Sequence, residues 1–419
     1  LSADPSEPEA YAELRIRLEE IDRTIDNPHN YLYYLATPPL LYGVIPRHLK
    51  AEGLNRDGDG FRRIVVEKPF GYDLSSALEL NRIYLDAFRE EQIYRIDHFL
   101  GKETVQNILA LRFANSVFEP LWNRNYIDYV EITAVENMGI GTRGGFYDGV
   151  GTLRDMVQNH LAQLLAVTAM EPPAAFDASG FRNEVVKVYQ SLTPLTGEDI
   201  RHSVVRGQYM ASEGRKGYRE EEQVPTLSRT ETYLAMRLEL NNWRWGGVPF
   251  YIRTGKQMPT KVSEIVIHFK PAPYSLFRCE GGTCPVPNRL VIRIQPNEGI
   301  VLRLGMKKPG EGFEVLPMDM DFSYAELGRL PTEDAYARLI EDCIAGDPTL
   351  FIRSDAVESG WRFFDPILKY WQDVPECPLY GYPAGSWGPL EADSLMARHG
   401  ASWTNPCKNL TNTHLYCEL

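Results

Sequence analysis

The segment from Arg95 to Glu103 carries the residues best suited to chemistry, and it reads Arg-Ile-Asp-His-Phe-Leu-Gly-Lys-Glu. Asp97, His98 and Lys102 lie around a turn that opens into an apolar-periodic helix. A helix N-terminus offers unpaired N–H groups and partial positive charge, and His98 and Lys102 are four residues apart. This pattern favours a phosphate-binding site, whereas a lone His-x-x-x-Lys would more often be a solvated loop.

A second constellation occupies the apolar helix predicted from Val150 to Met170, which carries Asp155 and His160. His160 falls on the buried stripe, so it is either a functional imidazole or a core histidine. In an α-helix two residues five positions apart differ by roughly 140° around the axis. We therefore expect Asp155 and His160 to point in different directions. Thr152 and Asp155 also fit a capping box at the start of this helix.

Three lysines follow predicted strands. Lys68 lies in Glu67-Lys68-Pro69-Phe70-Gly71, where the proline favours an extended conformation for Lys68. Lys256 and Lys261 lie in the segment Tyr251-Ile252-Arg253-Thr254-Gly255-Lys256-Gln257-Met258-Pro259-Thr260-Lys261. Single lysines in loops are usually solvated, so these candidates depend on the surrounding sequence.

Composition limits the possible functions. The chain has 419 residues, is 43% hydrophobic and 24% charged, and carries a formal net charge of −13. This length allows two domains with separate cores, and the acidic balance disfavours nucleic acid and anionic membranes as partners. No stretch approaches the roughly 18 apolar residues of a membrane span. The six cysteines are irregularly spaced, which indicates free thiols in a reducing cytoplasm. Cys279 and Cys284 are only a weak indication of a metal site, because no histidine or second cysteine pair lies near them.

The predicted elements change character along the chain. A helix from Tyr11 to Ile25, strands over 31–36 and 63–67 and a helix between them predict βαβ units with a parallel sheet. From Tyr129 onward, long alternating strands predict a mainly antiparallel sheet with one buried face, including a hairpin after Gln295. The fold class is therefore α/β + α+β: a partial Rossmann-type nucleotide-binding domain over 1–97, then a larger domain with a mainly antiparallel sheet and helices over 98–403. Residues 404–419 form an unassigned tail.

Eight of the nine residues from Arg95 to Glu103 match Arg-Ile-Asp-His-Tyr-Leu-Gly-Lys-Glu, the signature of glucose-6-phosphate dehydrogenases. The resemblance extends from about Tyr11 to Trp403 and includes the two lysine segments described above. Phe99 replaces the tyrosine of the signature. The missing hydroxyl would cost about 1.5–3 kcal/mol of phosphate binding if nothing replaces its hydrogen bond.

The resemblance implies oxidation of D-glucose 6-phosphate at C1 to 6-phosphoglucono-lactone, with hydride transfer to NADP and no metal. It implies that His160 is the general base and that Asp97 orients it. The substrate-binding residues it implies are Lys68, His98, Lys102, Glu136, Asp155, Lys256 and Lys261, with Gln295 as a weaker candidate. The cofactor-binding residues it implies are Pro39, Tyr42 and Lys68. It further implies a cytoplasmic homodimer or dimer of dimers.

The glycine-rich turn of a dinucleotide fold does not precede residue 30, and the motif Gly139-Ile140-Gly141-Thr142-Arg143-Gly144 lies too deep in the second domain to supply it. In the family this turn lies upstream, so we expect one βαβ unit of roughly 30 residues to be absent from the sequence. Two alternatives follow: another sugar oxidoreductase with an open-sheet domain, or a non-catalytic sugar-phosphate-binding protein. The sequence does not decide between NADP and NAD.

Overall fold

The computed structural model describes residues 2–25, 29–274, 276–277, 287–310, 312–324 and 334–406. Cys279, Cys284 and the tail from residue 407 lie outside the described residues. The chain folds into two compact units. The first unit comprises Leu1–Gly101, Glu171–Tyr189 and Glu333–Asp365, and the second comprises Lys102–Met170, Gln190–Thr332 and Pro366–Leu419. The domain boundaries given by the sequence stay a prediction alongside this division.

The first unit contains a three-stranded parallel sheet, as the βαβ pattern predicted. Its strands are β1 (Tyr31–Leu35), β2 (Arg62–Val66) and β3 (Ile93–Arg95), in the order β1-β2-β3. The N-terminal helices of this unit are α1 (Glu9–Thr24), α2 (Val44–Ala51) and α3 (Leu74–Ala87). Asp73 begins α3 with a capping box that involves Ser76. The centre of this sheet is shielded from solvent, since Ile64, Val65 and Val66 are at most 2% exposed.

The second unit contains a nine-stranded sheet, and its strand order is β11-β10-β9-β8-β4-β7-β6-β5-β12. The strands are β4 (Ile127–Val135), β5 (Val204–Met210), β6 (Tyr233–Glu239), β7 (Pro249–Gly255), β8 (Val262–Phe269), β9 (Arg289–Gln295), β10 (Gly299–Lys307), β11 (Val315–Ser323) and β12 (Tyr380–Pro383). All neighbours pair antiparallel except β4 with β7 and β5 with β12. The predicted mainly antiparallel sheet and the β9–β10 hairpin are therefore confirmed.

The centre of this sheet differs from the prediction of a single buried face. In β8, Ile265 and Ile267 are fully buried, but so are Glu264 and Val266, which point to the opposite side. β8 lies between β9 and β4, and side chains on both of its faces are buried. The sequence of β8 alternates apolar and polar side chains only in part, so burial of the polar residues depends on partners distant in the chain.

The remaining helices are α4 (Glu103–Phe113), α5 (Gly144–Asp148), α6 (Ala162–Ala169), α7 (Ala178–Ser191), α8 (Glu198–Ser203), α9 (Ala335–Ala345), α10 (Ser354–Asp373) and α11 (Glu391–Ala397). A π-helix (Leu153–Leu161) runs directly into α6. Among the described residues, none of these helices combines the length and apolar character that a bilayer crossing requires.

The glycine-rich segment from Gly139 to Gly144 has a packing role. It leads into the short helix α5, whose first residue, Gly144, lies against the carbonyl oxygen of Glu222 with no room for a Cβ atom. A Cβ atom on Gly139 would lie 2.7 Å from a carboxylate oxygen of Glu221. Close approach of the loop that contains Glu221 and Glu222 therefore explains two glycines of the motif.

Candidate active site

The candidate residues of the first unit follow the carboxyl ends of its parallel strands. β1, β2 and β3 run in the same direction, so Leu35, Val66 and Arg95 end at one edge of the sheet. The segments 36–42, 67–71 and 96–99 begin at that edge. Ligands of open α/β sheets bind outside the carboxyl ends of the strands. The predicted cofactor residues and the pair Asp97 and His98 therefore arise from the expected edge.

The predicted cofactor residues occupy two of these segments. Tyr42 is 3% exposed, and its hydroxyl donates to the carbonyl oxygen of Lys68 at 3.5 Å. Burial raises the pKa of Tyr42 to about 12, so its hydroxyl remains a neutral donor at neutral pH. Pro39 begins an exposed 3₁₀ turn, Pro39–Leu41. The buried hydroxyl of Thr37, just before this turn, has no hydrogen-bond partner among the described residues.

Asp97 and His98 are held by their own segment and by α9. Asp97 is 2% exposed, and its Oδ1 accepts the N–H of Phe99 at 3.0 Å. The His98 ring packs edge-on against Phe99, with centroids 5.1 Å apart, and stacks on Tyr336 at 5.9 Å. Burial, and then the charges of Glu67 and Asp97, raise the pKa of Tyr336. Tyr336 was not among the predicted site residues, because nothing local connects α9 with a histidine more than 200 positions earlier.

The second unit brings three predicted substrate residues together. Lys256, directly after β7, bonds to Glu136, and its Nζ lies 3.4 Å from Oδ2 of Asp155. Lys256 is 5% exposed, and its Nζ also lies 5.3 Å from the ring centroid of Tyr147. Lys261 is exposed and lies outside this cluster. The cluster joins a buried ammonium group with two carboxylates that can accept hydrogen bonds from sugar hydroxyls.

The structure corrects the expected geometry of Asp155 and His160. Residues Leu153–Leu161 form a π-helix, whose hydrogen bonds join positions five apart, rather than an α-helix. Residues five apart therefore lie near one side of the helix, as residues four apart do in an α-helix. Asp155 and His160 share that side, and the expectation of different directions was wrong. His160 itself is 2% exposed.

The start of the π-helix also differs from the expected capping box. Thr152 has helical dihedral angles and no side-chain cap, and its hydroxyl donates to the carbonyl oxygen of Glu231 at 2.9 Å. The Glu231 carboxylate accepts the N–H of Leu153 at 3.0 Å. An acid from a segment about 80 residues later thus supplies the acceptor. Glu231 was not among the predicted site residues, because its sequence neighbours give no indication of this contact.

Lys102 is held by the strand pair β8 and β9. It lies just before α4, and its Nζ donates to Oε1 of Gln295 at 2.7 Å. The Nε2 of Gln295 donates in turn to Oγ of Ser263 at 2.9 Å. Ser263 is 1% exposed. This chain of bonds supports Gln295 as a member of the candidate site and adds Ser263, which the sequence did not single out.

The first residues of the predicted tail are fixed on the large sheet. The backbone N–H of Thr404 donates to Glu131 at 2.9 Å, and its hydroxyl donates to the same carboxylate at 2.8 Å. Arg253 donates to the carbonyl oxygen of Thr404 and to the side chain of Asn405, both at 2.8 Å. Glu131 is fully buried and also bonds His268 at 2.6 Å. Residues 404–405 therefore belong to the folded second unit.

Two family models match consecutive parts of the chain. The model of the glucose-6-phosphate dehydrogenase NAD binding domain matches residues 1–107, and that of the glucose-6-phosphate dehydrogenase C-terminal domain matches residues 109–404. The glucose-6-phosphate 1-dehydrogenase of Aggregatibacter actinomycetemcomitans is 54% identical over 400 residues, covering 94% of this chain and 80% of that protein. The enzyme of the same name from Treponema pallidum is 48% identical over 423 residues, covering 100% of this chain and 82% of that protein.

Solved structures give the same result. A glucose-6-phosphate dehydrogenase in complex with its substrate glucose-6-phosphate matches with a TM-score of 0.89 and 34% identity, over 97% of this chain and 82% of that chain. The glucose-6-phosphate 1-dehydrogenase of Mycobacterium avium matches with a TM-score of 0.80 and 38% identity over the same shares. Both domain models, the relatives and the solved folds agree, and the chain belongs to the glucose-6-phosphate dehydrogenase family.

Proposed function

We propose that this chain oxidises D-glucose 6-phosphate at C1 to 6-phosphoglucono-lactone, the entry reaction of the pentose phosphate pathway, with NADP as the hydride acceptor. The observation that carries this proposal is the match of the two family models to residues 1–107 and 109–404. The same match disfavours the wider group of sugar oxidoreductases. It also disfavours a non-catalytic binding protein, because both domains of the family are matched and the chain carries His160 and Asp97, to which we assign the chemistry.

Substrate recognition divides between cations and carboxylates. We assign the phosphate to His98, Lys102, Lys68 and Lys261, because a dianionic ester needs local positive charge in a protein whose net charge is −13. Glu136 and Asp155 accept hydrogen bonds from sugar hydroxyls. Lys256 has three N–H donors. Two of them face Glu136 and Asp155, which leaves the third for a substrate oxygen.

Proton removal is the task of His160. A general base must take the proton of the C1 hydroxyl as that carbon is oxidised, and an imidazole does so at neutral pH. We assign the orienting carboxylate to Asp97, following the family resemblance. An orienting carboxylate fixes the tautomer of the imidazole and stabilises the imidazolium that forms. Asp97 is suited to this role because its segment fixes its conformation through the N–H of Phe99.

The cofactor supplies the hydride acceptor when it is bound. Pro39, Tyr42 and Lys68 are the residues of this chain that we assign to holding it. The strand edge from which they arise fits a nucleotide, because the buried Thr37 hydroxyl beside them has no partner among the described residues. The Tyr42 hydroxyl lies 3.5 Å from the carbonyl oxygen of Lys68, so these two positions are neighbours.

Assembly and compartment are further parts of the proposal. We infer a homodimer or dimer of dimers, because Met318, Met320 and Phe322 alternate along the edge strand β11 and are 55%, 63% and 38% exposed. We infer the cytoplasm as the compartment. Cys343 and Cys377, the two cysteines within the described residues, are buried free thiols, which suits a reducing environment.

The direct test is turnover by the purified protein with glucose 6-phosphate and NADP, followed through the absorbance of the reduced nicotinamide. We expect His160→Asn to lower kcat by about 10²–10⁴-fold, the usual contribution of a general base. Calorimetry should give nearly unchanged binding of glucose 6-phosphate by this variant. A folded wild-type protein without turnover would contradict the proposed function, and joint loss of binding and turnover would contradict the role of His160 as base.

A further inference from the structure

The π-helix that carries Asp155 and His160 requires an explanation. Its i→i+5 hydrogen bonds are rare in proteins and occur mostly as single-turn bulges inside α-helices, frequently at functional sites. Here the pattern extends over the nine residues Leu153–Leu161 and returns to α-helix at Ala162. The local sequence has ordinary α-helical periodicity. Contacts from outside the segment are therefore needed to hold the π register.

Glu231 supplies these contacts at the N-terminal end. It is 5% exposed and immediately precedes Thr232 and β6. Its carboxylate accepts the N–H of Leu153, the first residue of the π-helix, at 3.0 Å. Its carbonyl oxygen accepts the N–H of Thr152 at 3.2 Å and the Thr152 hydroxyl at 2.9 Å. One residue thus bonds two successive N–H groups at the point where the register changes.

Gly151 shows how closely this acid is fitted to the helix. It has a φ of +74°, which L-amino acids with a side chain rarely adopt. A Cβ atom at this position would lie 2.5 Å from Oε1 of Glu231. Glycine therefore admits the carboxylate to the helix end, and the two residues form one steric unit.

Thr152, which Glu231 bonds, is linked through Tyr147 to the cluster of Lys256, Glu136 and Asp155. The Thr152 hydroxyl lies 2.8 Å from the hydroxyl of Tyr147, and the Tyr147 ring lies under the ammonium group of Lys256. Lys256 faces Asp155 on the π-helix. A change of register would therefore move Asp155 relative to both Lys256 and His160. In an α-helical register Asp155 and His160 would point about 140° apart.

We propose that Glu231 is a positioning residue, which fixes the π register of Leu153–Leu161 and thereby keeps Asp155 and His160 on one side of the helix. The expected fall in kcat rests on the proposed function. The expected change of helix register in Leu153–Leu161 does not. Glu231 contacts neither substrate nor cofactor in this scheme. It acts through the backbone of Thr152 and Leu153.

The test compares two variants of similar size. Glu231→Gln keeps an oxygen that can accept the N–H of Leu153, whereas Glu231→Met does not. We expect Glu231→Met to lower kcat by about 10–100-fold, because small misplacements of reacting groups cost up to about 10²-fold. Its KM for glucose 6-phosphate should change less than kcat, because Asp155 is one of several substrate contacts and the phosphate-binding residues lie elsewhere. Glu231→Gln should restore kcat to within about threefold of the wild type.

Gly151→Ala disturbs the same contact, because its Cβ atom would lie against the Glu231 carboxylate. It should likewise lower kcat more than it changes KM. Glu131→Met is the matched control, because it removes another buried carboxylate of this sheet that bonds Thr404 and His268 rather than the π-helix. We expect this control to lower the melting temperature and to leave kcat unchanged for the folded protein.

A crystal structure of Glu231→Met gives a readout that does not depend on activity. The proposal expects i→i+4 hydrogen bonds over Leu153–Leu161 in that variant. Retention of the i→i+5 register in Glu231→Met would overturn it. If the wild-type protein lacked glucose 6-phosphate oxidation, the proposed function would fail, and the register of the variant would still decide this inference.

Discussion

The ammonium nitrogen of Lys256 lies 3.4 Å from Oδ2 of Asp155, and the same group bonds Glu136. Lys256 directly follows β7, Asp155 belongs to the π-helix, and Glu136 follows β4. One buried cation thus connects the two central parallel strands of the large sheet with the helix that carries His160. The oxygens of the two carboxylates are hydrogen-bond acceptors, which suits donors such as sugar hydroxyls.

Replacing Lys256 with methionine should raise KM for glucose 6-phosphate at least tenfold. The change removes a substrate donor and leaves Glu136 and Asp155 to repel each other in a partly desolvated place. Steady-state kinetics with varied glucose 6-phosphate measures the effect. Lys270→Met is a suitable control, because Lys270 is exposed and its ammonium group bonds only a backbone carbonyl among the described contacts. An unchanged KM in Lys256→Met would remove Lys256 from the substrate site.

The large elements of this fold could be predicted because their signals are local. Short apolar runs such as Tyr31–Leu35 and the turn after Gln295 define strands within a few residues of their observed bounds. The same local signals predicted the strands that Lys68 and Asp97 follow. The burial of both faces of β8 could not be predicted, since it depends on partners of Glu264 and Val266 far along the chain.

The geometry of the site could be predicted less well from the sequence than the fold could. The segment Leu153–Leu161 has the apolar spacing of an α-helix, and nothing within it indicates i→i+5 hydrogen bonding. Glu231, Ser263 and Tyr336 contact site residues only because the fold brings distant segments together. Each lies in a sequence context that would suit a surface strand or helix equally well. Residue type identified the chemistry, but tertiary contacts determine its arrangement.

Removal of the Ser263 hydroxyl should weaken substrate binding without affecting turnover. Ser263 accepts a hydrogen bond from Nε2 of Gln295, which directs Oε1 of the amide towards Lys102. Without the hydroxyl, the amide can rotate and present its NH₂ group to the ammonium group of Lys102. We expect Ser263→Ala to raise KM for glucose 6-phosphate about three- to tenfold, with kcat and KM for NADP within twofold.

Ser263→Thr tests whether the hydroxyl itself matters, because it restores the oxygen while adding a methyl group. Recovery of KM in this variant would support the orienting role. Equal changes in both Michaelis constants of Ser263→Ala would instead indicate a general loss of structure and contradict the prediction.

The buried carboxylate of Glu131 should stabilise the protein in a pH-dependent way. Burial alone would raise its pKa, but the hydrogen bond to His268, the N–H of Thr404 and the charge of Arg253 together lower it below the usual 4.5. A carboxyl with a lowered pKa in the folded state contributes stability above its unfolded pKa and loses it as the pH falls through the folded value. This contribution is therefore complete at neutral pH.

Glu131→Gln should accordingly reduce the free energy of unfolding at pH 7 by about 3 kcal/mol, the lower end of the range for breaking a buried ion pair. The difference from the wild type should shrink as the pH falls below about 4.5, because the variant lacks the one carboxyl whose protonation removes this contribution. Urea unfolding at several pH values measures this difference. A difference that stays constant down to pH 3 would show that the charge of Glu131 does not contribute.

The exposed apolar face of β11 is the proposed dimer contact. Met318, Met320 and Phe322 lie on one side of the strand, and Asp319 and Asp321 lie on the other, where they pair with Arg303 and Arg293. A charge placed among the apolar side chains would have to be desolvated in a dimer that buries this face. We therefore expect Met320→Glu to raise the dissociation constant of the proposed dimer at least 100-fold. Sedimentation equilibrium measures this constant directly.

Asp319→Asn, on the opposite side of the same strand, is the matched control and should leave assembly unchanged. The comparison separates a specific effect of the apolar face from general damage to β11, because both variants change exposed residues at adjacent positions. Equal dissociation in the two variants would indicate loss of the strand rather than of an interface. A Met320→Glu protein with the wild-type mass would exclude this face as the dimer contact and direct the search to other surfaces of the second unit.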